Sequence, residues 1–129
     1  MYARDNVAGA QNGQQRLLSG PVLQRAAMTF GMLADATRLG LLTALLDGDL
    51  DVTALTAAVG AARPAVSQHL GKLRLAGLVT VRREGRRALY AVAGPHVRRL
   101  VTEALYAAEH QLTDWPAHHE PDPPVPAPR

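Results

Sequence analysis

The stretch RPAVSQHLGKLRLAGLVTVRREGRRALYAV, residues 63 to 92, decides how the rest of the chain is read. Its first half carries Val66, Leu70 and Leu73 at helical spacing. Arg63-Pro64 can open that helix, because proline is tolerated in a first turn, and Ala76-Gly77 can close it. In the second half, Leu78 to Arg83 and Ala88 to Val92 form two short β-prone runs around Glu84-Gly85-Arg86, which predicts a hairpin with a basic tip.

Working toward the N-terminus, Asp51 is placed to cap a short helix through Leu55 and Val59 that Gly60 closes. Before it, Asp35 can cap a helix carrying Leu39, Leu42, Leu45 and Leu46, stopped by Asp47-Gly48. A further helix upstream is marked by Val22, Leu23, Ala26, Ala27, Phe30 and Leu33. On the other side, Gly94-Pro95 opens a last helix with Val97, Leu100, Val101, Ala104, Leu105 and Ala108 on one seam. Four helices, a hairpin and a helix predict a mainly α fold with a small β-hairpin, a dimeric winged helix-turn-helix. Residues 1–16 lack apolar periodicity and are expected to be a flexible arm. The folded domain is expected over 17–112, and the repeated prolines from Pro116 onward predict an extended tail over 113–129.

At 129 residues, with 47% apolar residues and 4% aromatics, the chain supports one aliphatic, mostly helical core. The absence of cysteine removes disulfides, thiolate metal sites and cysteine nucleophiles together, leaving imidazole and carboxylate as the metal-binding groups. The longest apolar run, Leu39 to Leu46, falls far short of the roughly 20 residues a bilayer crossing needs. With an N-terminus too polar for a signal peptide, a cytoplasmic protein is expected. No Gly-rich phosphate loop, nucleophile elbow or His-Glu-x-x-His pattern is present, so the chain does not read as an enzyme.

The net charge of +3 hides an asymmetry: from Arg63 to Arg99 there are nine basic residues and one acid, Glu84. A polyanion partner follows, and the fold class makes it double-stranded DNA. With Val66, Leu70 and Leu73 facing inward, Ser67 and Gln68 are candidates for base edges, and Arg63 and Lys72 for phosphates. Arg82, Arg83, Arg86 and Arg87 crowd one hairpin, a repulsion that a phosphate backbone would relieve. His69 lies beside Leu70 at the core edge and is read as packed or phosphate-contacting. Tyr90, Tyr106 and Trp115 are read as core, interface or tail packing.

The same residues carry a family resemblance. Leu33-Ala34-Asp35-Ala36-Thr37-Arg38-Leu39, Val66-Ser67-Gln68-His69-Leu70 with Leu73, Ala76-Gly77-Leu78-Val79, and Arg82-Arg83-Glu84-Gly85-Arg86 ending in Tyr90 resemble the ArsR/SmtB family of bacterial metal-responsive repressors, over about residues 22 to 112. The resemblance implies a homodimer built largely from the first and last helices that binds an imperfect inverted repeat in operator DNA. Two positions depart from the family pattern: Ala36 replaces its usual proline, and Ala62 stands where a Ser or Thr often caps the recognition helix.

The family places metals at several positions, and the thiol site on its third helix is impossible between Asp51 and Thr56. The site on its last helix leaves His96 and His110 as candidates. Fourteen residues separate them, about 40° short of four turns, so they share a face yet lie about 21 Å apart along the axis. One helix cannot bring both to one ion, whereas two helices packed antiparallel across a dimer axis can, giving two equivalent sites. The family's zinc site adds ligands at positions that here are Gly94 and Ala107, so that set is broken. Glu109 and the tail pair His118 and His119 are the remaining candidates, and the combination resembles a mycobacterial nickel/cobalt sensor of the family. Imidazole with carboxylate suits Ni(II), Co(II) or Zn(II), and a donor number of five or six favours the first two. Glu103 shares the histidine face but lies about 10 Å from either, so it is read as an outer or surface residue. Two alternatives stay open: a winged-helix repressor with another inducer or none, and a non-specific nucleoid-type DNA binder.

Overall fold

The computed structural model describes residues 13–18 and 20–113; Trp115, His118 and His119 lie outside the described residues. Residues 13–18 are helical, followed by α1 (Gly20–Leu33), α2 (Ala36–Ala44) running on into a 3-10 turn (Leu45–Asp47), α3 (Val52–Val59), α4 (Arg63–Leu75), the hairpin β1 (Val79–Glu84) and β2 (Arg87–Val92), and α5 (Pro95–Leu112). From α1 onward the expected order of elements is the observed one, whereas residues 13–18 are helical where a flexible arm was expected through residue 16.

Local chemistry accounts for most of the boundaries. The Asp35 carboxylate accepts the Arg38 N–H at 2.9 Å and starts α2; the Asp51 carboxylate accepts the Ala54 N–H at 2.9 Å and starts α3. Gly60 ends α3 in the left-handed conformation at φ 66°, its N–H donating to the Thr56 carbonyl. Pro64 occupies the first turn of α4, and Ala62 caps it without any side-chain bond. The hairpin is tighter than expected: Glu84 pairs with Arg87, leaving Gly85-Arg86 as a two-residue loop. Gly85 has φ 62° and Arg86 no positive φ, the pattern of a turn whose first central position calls for glycine.

The core collects one aliphatic stripe from each element. Leu41, Leu42 and Leu45 come from α2 and its 3-10 turn, Leu55 from α3, Val66, Leu70 and Leu73 from α4, Leu78 and Val79 from the hairpin entry, and Val101 from α5. Most are large side chains with no solvent exposure, each contributing about 1.5–3 kcal/mol of transfer free energy. Leu50 and Tyr90 exchange both backbone hydrogen bonds, at 3.1 and 2.8 Å. The hairpin is thereby tied to the segment that leads into α3. Tyr90 packs half-buried against the core, and Tyr106 is also half-buried.

Helix α1 behaves differently. Only its C-terminal end, Met32 and Leu33, packs against the core. Val22, Leu23, Met28 and Phe30 remain 50–58% exposed, as do Leu17 and Leu18 just upstream at 54% and 66%. So many large apolar side chains exposed on one helical segment are a mark of interaction surfaces in soluble proteins. No single described helix is long and apolar enough to cross a membrane.

Candidate nucleic-acid interface

Burial of Val66, Leu70 and Leu73 turns the opposite side of α4 outward, and there Arg63, Ser67, Gln68 and Lys72 are all exposed. The two short polar side chains can approach base edges while the cations flank them. Arg63 is not loose: its guanidinium donates to Thr53 Oγ1 at 3.1 Å, so the first turn of α3 orients it.

His69 is half-buried on the inner shoulder of α4, its Nδ1 3.5 Å from a guanidinium nitrogen of Arg38. Arg38 in turn donates through Nε to the Met32 carbonyl at 2.7 Å and reaches the Gly31 carbonyl at 3.5 Å. One side chain thus joins the end of α1, the start of α2 and the recognition helix α4. The Asp35 carboxyl is held below its ordinary value of 3.8, first by the hydrogen bond from the Arg38 N–H, against some desolvation, and then by the charge of Arg38. Sequence reasoning noted Arg38 only as part of a motif, because its partners lie on three different elements.

The four hairpin arginines fall into two pairs. Arg82 binds Asp49 and lies 3.3 Å from Glu84, and Arg87 donates through Nε to Asp51 at 3.1 Å. The bond to Asp49 raises the Arg82 guanidinium above its ordinary range. The Asp51 carboxyl is lowered from 3.8, first by its Ala54 N–H bond, with desolvation opposing, and then by Arg87. Arg83 and Arg86 form no ion pair among the described residues, so an external anion has most to offer them. The role of Asp49 was missed. The available signal was the triplet Asp49-Leu50-Asp51, whose alternation puts both carboxylates on one side of an extended segment.

On α5, His96 stands exposed in the first turn and His110 exposed in the last, with Glu109 half-buried and Glu103 exposed between them. His96 lines an open cavity of about 900 Å³ whose other walls include Pro21, Val22, Arg25 and Ala26 of α1. The first candidate ligand therefore borders the uncovered apolar face. Among the described residues no three of His, Asp and Glu converge as a metal site.

A caped short helix, a second helix with an outward polar face, and a basic hairpin fastened behind them define a winged helix-turn-helix regulator. Residues 35–81 match the family described as bacterial regulatory protein, arsR family. The chain is 48% identical over 90 residues to the HTH-type transcriptional regulator KmtR of Mycobacterium tuberculosis, covering 70% of this chain and 69% of that one. It is 41% identical over 93 residues to the regulator NmtR of the same organism, covering 72% and 78%. The homodimeric winged helix-turn-helix DNA-binding domain Mb0332 of Mycobacterium bovis superposes with a TM-score of 0.66 at 35% identity, covering 70% of this chain and 84% of that one. The chain belongs to the ArsR family of transcriptional regulators, and it is not an enzyme.

Proposed function

We propose that this protein is a homodimeric, cytoplasmic repressor that holds operator DNA in its metal-free state and is released by Ni(II) or Co(II), with Zn(II) a third candidate. The observation that carries the proposal is the position of His96, on the rim of the apolar α1 surface that a second subunit would cover.

In the DNA-bound state, the exposed face of α4 enters the major groove, with Ser67 and Gln68 toward base edges and Arg63 and Lys72 toward phosphates. The α1 and α5 surfaces hold two copies together so that their α4 helices meet successive major grooves, about 34 Å apart. His69 supports α4 from behind through Arg38. Arg83 and Arg86 bring the hairpin to the backbone as well, while Arg82 and Arg87 brace it.

The donor set fits a divalent ion only across two chains. Within one α5, His96 and His110 are about 21 Å apart by helical rise, so neither can complete the other's site. An antiparallel α5 pair would bring His96 of one subunit to the partner's His110, with Glu109 adjacent. His118 and His119 are proposed to add donors from the tail. A bound ion would supply bonds that favour one relative placement of the two subunits over others. A coupling of a few kcal/mol suffices, since about 1.4 kcal/mol is tenfold in affinity.

Fluorescence anisotropy with the upstream DNA tests this at fixed salt and pH. His96→Ala with His110→Ala should bind DNA as tightly as the unsubstituted protein and should stay bound when Ni(II) is added. Release of that variant by nickel would remove the site assignment; an unsubstituted protein unmoved by all three ions would leave a repressor without a metal switch.

A further inference from the structure

Between the first turn of α3 and the hairpin lies a cavity of about 250 Å³, walled by Val52, Thr53, Arg63, Arg83, Arg86 and Arg87. Four guanidinium side chains, one from α4 and three from the hairpin, thus border one space. Water occupies about 30 Å³ per molecule in the liquid, so the cavity admits a group of several heavy atoms.

The wall is built for an anion. Asp51 is its one acidic residue, and its two oxygens are already engaged, one by the Ala54 N–H at 2.9 Å and the other by Arg87 Nε at 3.1 Å. Counting four arginines against that carboxylate leaves a formal charge of +3 around the cavity. Val52 and Thr53 occupy the first turn of α3, where backbone N–H groups have no intrahelical acceptor and the helix end is positive. Arg63 and Arg87 are held in place by Thr53 and Asp51, whereas Arg83 and Arg86 have no ion-pair partner among the described residues. Two cations are fixed and two can close.

We propose that this cavity is a single-phosphate clamp: α3, the start of α4 and the hairpin grip one and the same phosphate group of the DNA backbone. The clamp deepens the DNA-binding reading above and rests on it. Its consequence is that the arginines act as a unit. Several contacts converge on one phosphate per subunit, fixing where the hairpin sits along the backbone relative to α4.

Counterion release distinguishes this from scattered contacts. The slope of log affinity against log salt reports the number of phosphates neutralised, about 0.9 for each on duplex DNA. Anisotropy titrations between 50 and 200 mM salt should give R63A, R83A and R86A slopes close to that of the unsubstituted protein. The triple variant should lose about 0.9 per subunit, and the hairpin double variant R83A/R86A should lose no more than that. Stepwise losses of about 0.9 for every arginine removed, or an unchanged slope in the triple variant, would overturn the clamp while leaving the regulator reading intact.

If the unsubstituted protein binds no duplex, the regulator reading fails by itself, and the pocket is then decided by titrating the full chain with inorganic phosphate. Saturable shifts of the Val52 and Thr53 amide resonances that vanish in R63A/R83A would support a phosphate site serving a free ligand; absence of such shifts would remove it. Helical circular dichroism on every variant establishes that the fold is retained.

Discussion

Replacing Phe30 by Glu tests the subunit contact most directly, because this large apolar side chain is 58% exposed in the single chain. Complete burial of a phenylalanine is worth about 1.5–3 kcal/mol, so the exposed fraction leaves about 0.9–1.7 kcal/mol to be gained on association. Two-fold symmetry counts it twice, giving about 1.7–3.5 kcal/mol per dimer before the cost of placing a carboxylate in an apolar contact. At 1.4 kcal/mol per decade, the dissociation constant of the dimer should rise at least about 15-fold. Sedimentation equilibrium over a concentration series reads this, and far-UV circular dichroism at the same concentrations should show unchanged helix content. An unchanged dissociation constant would refute the assignment of α1 to the subunit contact. Loss of helix content would show instead that α1 is required by the fold of one chain.

Leu70→Ala should cost about 2–5 kcal/mol, because this fully buried side chain on α4 touches the centre of the core and its cavity cannot readily collapse; a urea denaturation curve reads it, and a loss below 1 kcal/mol would mean the core is looser than described. Acid should destabilise the fold through the capping carboxylates. Asp35 and Asp51 are both lowered from 3.8 in the folded chain, so their stabilisation is complete above that value and is lost as the pH falls through the lower folded values. D51N should flatten this fall below pH 3.8, and a curve parallel to that of the unsubstituted protein would deny Asp51 that part.

Most of the fold was legible in the residues because its signals are local. Asp35, Asp51, Gly60 and Pro64 mark helix ends through contacts spanning three or four residues, and the stripe Val66, Leu70, Leu73 needs only helical periodicity. The hairpin was legible except for its loop, where Glu84 and Arg87 proved to be a pair and only Gly85-Arg86 turned. The outward set Arg63, Ser67, Gln68 and Lys72 followed from the buried stripe by geometry alone.

Other features depend on groups far apart in the chain. Arg82 and Asp49 are separated by 33 residues, and Arg87 and Asp51 by 36, so a charge count along the hairpin registered four like charges where the fold neutralises two. Arg38 was one residue of a motif until the fold put α1, α2 and α4 around it.

By itself, the sequence determined the elements, their order and the cation-rich side of the molecule, since helix caps, turn glycines and apolar periods act between near neighbours. Only the tertiary structure decided which apolar faces are covered and which stay open, which arginines are braced by carboxylates, and that His96 borders the open α1 surface. Those outcomes depend on long-range packing and on charges brought together from distant segments, and no local pattern encodes them.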